Sequence, residues 1–76
     1  MPNKNPLSPK KLLLTKWTAV HPIKKQKHFL VCKVILPELP QEAIKHVEIE
    51  AVFSKEVRQI DWRELTDATI WKQGWV

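Results

Sequence analysis

Along KWTAV (16–20) the side chains alternate as on a β-strand, with Trp17 and Ala19 on one face and Lys16, Thr18 and Val20 on the other. His21-Pro22 is expected to end this strand, because proline brings no N–H to a sheet ladder. IKKQK (23–27) reads as a polar connection. HFLVCKVIL (28–36) carries the strongest strand pattern in the chain. Leu30, Cys32, Val34 and Leu36 follow His28 on one face, and Phe29, Val31, Lys33 and Ile35 form the other. Both faces are largely apolar, which places this strand at the centre of a sheet.

After a proline-marked turn, PELPQE (37–42), AIKHVEIEAVFS (43–54) alternates again. Val47, Ile49, Ala51 and Phe53 make a buried face against a mostly wet one of His46, Glu48, Glu50 and Val52. VRQIDW (57–62) predicts a fourth strand, with Ile60 and Trp62 on the side of Arg58. Thr66 is a candidate cap for a short helix over Asp67 to Gln73, stopped by a left-handed Gly74. At the other end, MPNKNPLSP (1–9) reads as a loose arm. Ser8-Pro9 then cues a single helical turn over Lys10 to Leu14.

Together these elements predict a mainly β fold: an antiparallel meander of about four strands, as an open sheet or curled into a small SH3-like barrel, with short helical turns at its ends. The domain is expected over residues 10–76, behind the arm of residues 1–9.

Composition says how so short a chain closes a core. A chain of 76 residues buries only about 60% of the surface it exposes when unfolded. Cys32 is the single cysteine, so no internal disulfide assists. Four Trp and two Phe supply the bulk instead. Trp17 and Trp62, inside strand patterns, are expected in the core. Trp71 and Trp75, around Gly74, are the candidate protein-contact pair. The only apolar run near the start, Leu12-Leu13-Leu14, is shorter than the roughly 7–15 residues of a signal core or the roughly 20 of a membrane span. A cytoplasmic protein without a membrane partner is expected.

Charge sharpens the functional question. Residues 1–37 hold eight lysines and no acid, +8, whereas residues 38–76 hold five basic and eight acidic residues, −3. Either the basic half meets an anionic partner, or the two halves interleave their charges in the fold. The first reading nominates Lys10, Lys11, Lys16, Lys24, Lys25 and Lys27 as nucleic-acid-binding residues, with an acidic protein surface as the other anionic partner. Against it, arginine occurs only as Arg58 and Arg63, both in the acidic half.

No catalytic set is nominated. Cys32 lies in an apolar strand, the setting of an inert thiol, and no nucleophile, base and oxyanion donor go together. His28 and Cys32 are four apart, which on a strand spans about 13 Å and cannot chelate. No metal or cofactor is expected.

The segments KWTAV, KHFLV, IEAV, DWREL and W-x-x-GW, in this order, resemble a family of small tryptophan-rich bacterial proteins found in cyanobacteria and some proteobacteria. The likeness runs over roughly residues 12–75. The family pattern falls on Lys16, Trp17, Thr18, His28, Phe29, Trp62, Arg63, Trp71, Gly74 and Trp75; position 32, Cys here, is more often Thr in relatives. The resemblance implies an aromatic framework and no activity, cofactor or partner.

Overall fold

A computed structural model describes residues 7–76. Five strands form one antiparallel sheet: β1 (Lys16–Ile23), β2 (Gln26–Ile35), β3 (His46–Ala51), β4 (Val57–Asp61) and β5 (Trp71–Gln73), in the spatial order β4-β3-β2-β1-β5. The first four make the expected meander, with β2 at its centre. The sheet stays open, β4 and β5 forming its two edges. Two 3-10 turns, Pro9–Lys11 and Trp62–Thr66, are the helical pieces among the described residues.

Cross-strand register sorts the residues onto two sides. Trp17 pairs with Phe29 and Phe29 with Ala51; Val31 pairs with Ile49, and Val34 with Val47, which faces Ile60. This side is covered by Leu12, which directly follows the first 3-10 turn, and by Leu65 within the second, both essentially buried. Partly buried Leu7 and Trp62 pack around them. One sheet with one covering layer explains a molecule only 16 Å thick. The opposite side carries Lys16, Thr18, His28, Leu30, Glu50 and Lys72.

Several expectations change. The arm drawn over residues 1–9 extends outside the described residues at 1–6, while Leu7 packs against the core and Pro9 opens a 3-10 turn. Strand β1 runs past Pro22 to Ile23 because the ladder is irregular between Thr18 and Ile23, so the missing N–H falls at a bulge. The connection shrinks from five residues to Lys24-Lys25, flanked by the pair Ile23–Gln26. Phe53, assigned to the buried face, is 80% exposed, because β3 ends at Ala51 and the chain is already turning.

The helix over Asp67–Gln73 is replaced. Asp61, not Thr66, caps the local helical turn, its carboxylate accepting from Arg63 N at 2.9 Å. Asp67 then folds the chain back, its side chain accepting from Thr69 N at 2.9 Å and its carbonyl from Trp71 N at 3.0 Å. Seven residues are too few for a self-supporting helix, whereas the free edge of β1 offers them a ladder. Trp71 pairs with Ala19 and Gln73 with Trp17, which drives the Trp71 ring edge-to-face onto Phe29 at 5.0 Å.

Candidate nucleic-acid interface

Lys24 and Lys25 form the entire loop of the β1–β2 hairpin, with φ of 55° and 63°. Two central residues at positive φ are the pattern of a type I′ turn, whose backbone twist matches the flanking strands. Glycine and asparagine take this conformation at least cost, so two lysines here are held against their preference. Both side chains are exposed, as is Lys27 at the start of β2.

Alternating strand directions bring the β3–β4 connection to the same end of the sheet. There Lys55 sits at φ 67°, its N–H donating to Ala51 O at 2.8 Å while Ala51 N donates to Glu56 O at 2.8 Å. Gln26 ties the two hairpins together: its amide donates to Ser54 Oγ at 3.0 Å and to Glu56 Oε2 at 3.2 Å. This end of the molecule thus carries Lys24, Lys25, Lys27 and Lys55 together with the exposed ring of Phe53. Sequence reasoning missed Phe53 and Lys55, since strict alternation carried β3 two residues too far. The polar run Ser54-Lys55-Glu56 was the available sign of the turn.

The remaining candidates lie elsewhere. Lys16 opens β1, about 25 Å along the strand from the hairpin tip at roughly 3.3 Å per residue, and Lys10 and Lys11 precede it in the first 3-10 turn. The six lysines therefore divide between two ends and do not share one surface. Lys16 instead lies over the Trp75 ring, Nζ 4.9 Å from its centroid.

Trp71 and Trp75 separate as well. Trp71 is 2% exposed and belongs to the core, so the contact pair reduces to Trp75, 43% exposed on the other side of the sheet. There the last residues are strapped down by Thr18, whose hydroxyl donates to Gly74 O at 2.7 Å and accepts from Val76 N at 3.1 Å. Trp75 Nε1 donates to Phe29 O at 2.9 Å, and its ring lies 6.0 Å from His28. Gly74, at φ 86°, makes the reversal.

Strand order distributes the charge. Glu48 and Glu50 lie on β3, and β1 and β5 carry Lys16 and Lys72, so β2 separates acidic from basic strands. Cys32 occupies an irregularity between Val31 and Lys33, its thiol donating to Glu48 O at 3.4 Å. Burial first, then nearby Glu50 and Glu48, push its pKa up, which keeps it protonated and a poor nucleophile. Among the described residues no three His, Cys, Asp or Glu side chains converge on a metal-sized site. No helix there is long and apolar enough to cross a membrane.

These features define a small open-sheet β protein built on buried tryptophans. The chain belongs to the tryptophan-rich protein family DUF2389, whose pattern it matches over residues 15–76. No curated protein and no solved structure matches it.

Proposed function

We propose that this protein is a non-catalytic binding module that holds single-stranded nucleic acid at the end of the sheet where the two hairpin tips meet. The observation that carries the reading is the exposed Phe53 ring at the same end of the sheet as Lys24, Lys25 and Lys55, three lysines held at positive φ. Residues kept in sparsely populated backbone conformations tend to cluster at functional sites. Lysines along a backbone track with an aromatic ring for stacking form the common plan of single-strand binders.

Anisotropy of a labelled oligonucleotide over a salt series tests this. Affinity should fall steeply with salt, because phosphate neutralisation releases counterions. K24E/K25E/K27E should weaken binding at least tenfold at low salt and flatten the log–log slope by about 2, at roughly 0.7 per phosphate contact. Unchanged binding by this variant overturns the proposal.

A second reading rests on Trp75, whose exposed face beside Lys16 suits an acidic protein surface. W75A/K16E separates the two readings: it should leave oligonucleotide binding intact and remove any protein contact made there.

A further inference from the structure

Between the β1–β2 hairpin and the start of β5 the covering layer is incomplete, leaving a cavity of about 360 Å³. Its floor is the edge-to-face pair Phe29 and Trp71. Ile23 and Ile70 stand at its walls, 73% and 40% exposed, more apolar surface than a closed core would leave in water.

Around this apolar slot the rim carries both signs of charge. Arg58 lies with its guanidinium carbon 5.9 Å from the Phe29 centroid, and Lys24 and His21 complete the cationic side. Among the described residues the side-chain nitrogens of these three hold no hydrogen bond. Glu56 and Glu64 supply the acidic side. Glu56 accepts from Gln26 at 3.2 Å and Glu64 from Trp71 Nε1 at 3.3 Å, and a carboxylate has acceptor capacity beyond one donor.

A ligand that fits all three features has a flat ring, an amino group donating to a carboxylate, and an anion for the cations. We infer that the cavity takes one nucleotide whose base bears an exocyclic amino group: base against Phe29 and Trp71, amino group on Glu56 or Glu64, phosphate on Arg58 and Lys24. The volume lies at the small end of ligand sites, roughly 300–1,000 Å³, which suits a single base with its sugar and not two stacked ones. This deepens the reading above, since Lys24 belongs to both the hairpin tip and the cavity rim: a strand tracking over the tips would insert one base here.

Free mononucleotides test the cavity apart from the strand. Titration of AMP, CMP and UMP, with benzoate as a plain aryl anion, is followed through the backbone amides of Phe29 and Trp71 by NMR. AMP and CMP should shift these amides and bind about tenfold tighter than UMP, whose base lacks the amino group, a difference of about 1.4 kcal/mol. R58Q, at an exposed position, should weaken AMP at least fivefold without changing Tm, and of E56Q and E64Q at least one should do the same to AMP; AMP binding unchanged in both would overturn the carboxylate contact. K25E/K27E, outside the cavity, should leave AMP binding unchanged while weakening an oligonucleotide. No shift at millimolar nucleotide, or equal binding of AMP, UMP and benzoate, overturns the inference. If AMP binds as expected while K24E/K25E/K27E leaves oligonucleotide binding unchanged, the strand reading fails and the cavity stands as a mononucleotide site.

Discussion

Lys24 and Lys25 each hold a backbone conformation that costs an L-residue about 1 kcal/mol or more, and nothing else among the described residues needs lysine there. K24N/K25G should therefore stabilise the protein by about 1 kcal/mol or more, raising Tm by roughly 4–8 °C per kcal/mol in a domain of this size, while weakening nucleic-acid binding. Thermal melts and anisotropy on one preparation check the opposite signs; a destabilised variant would show that the turn is not strained. The tryptophans differ just as sharply. Trp17 is fully buried, its Nε1 donating to Thr15 Oγ1 at 2.9 Å. W17A should cost about 3–5 kcal/mol, comparable to the whole stability available to so small a core, and leave the chain largely unfolded by far-ultraviolet circular dichroism. W75A, losing one hydrogen bond and a half-exposed ring, should cost only about 1 kcal/mol.

Strand β2 shows what alternation reveals and where it stops. Its central place was legible because both faces are apolar. Yet with strict alternation Lys33 would share the covered side with Phe29 and Val31. The irregularity at Cys32 shifts the phase, so that Val34 faces Val47 on the covered side and Lys33 faces Glu48 on the other. A bulge has no hydrophobic signature of its own; only the cost of burying a lysine betrays it. C32T should consequently be tolerated within about 1 kcal/mol. Deleting residue 32 leaves Val31, Lys33 and Val34 opposite Ile49, Glu48 and Val47 in a regular ladder, and should still give a folded protein with a cooperative urea melt. Inserting a second residue beside Cys32 should instead turn Lys33 or Val34 to the wrong side and destabilise it. The Trp71 segment failed for a related reason. Its capping residues were real turn formers, but the vacant edge of β1, a partner more than fifty residues away, decided strand over helix. Lysines 24, 25 and 27 were legible as a group, while Phe53 depended on where β3 stopped. Asp67 gives the turn before β5 a pH signature. Hydrogen bonds from the Thr69 hydroxyl and amide hold its carboxyl below the ordinary carboxylate value. Its contribution is therefore complete above roughly pH 4, the unfolded value, and fades as pH falls through the lower folded value. D67N should be less stable than the wild type at neutral pH and lack this acid fade, which urea melts between pH 2 and 7 would read out.

At the scale of the molecule, the two halves of the charge pattern neither fully interleave nor fully separate. Lys33 pairs with Glu48 across β2 and β3, whereas Lys16 and Lys72 lie on β1 and β5, which do not pair with β3. Salt should accordingly weaken partner binding far more than it alters Tm, since screening acts most on exposed charges; a Tm that falls with salt as steeply as affinity would place the lysines in the fold's own electrostatics instead.

The pairing of β5 with β1 has a kinetic consequence. Strands β1 to β4 assemble through three local hairpins, but Trp71–Gln73 must return to Ala19–Trp17, with Thr18 reaching Gly74 across 56 positions. Closing so long a loop is the costliest entropic step in the chain. The meander should therefore form first and the C-terminal strand dock last. Native-state hydrogen exchange should find the amides of Trp71 and Gly74 opening at lower free energy than those of Val31 and Ile49, so that the four-stranded sheet outlives, for brief intervals, the latch that completes its core.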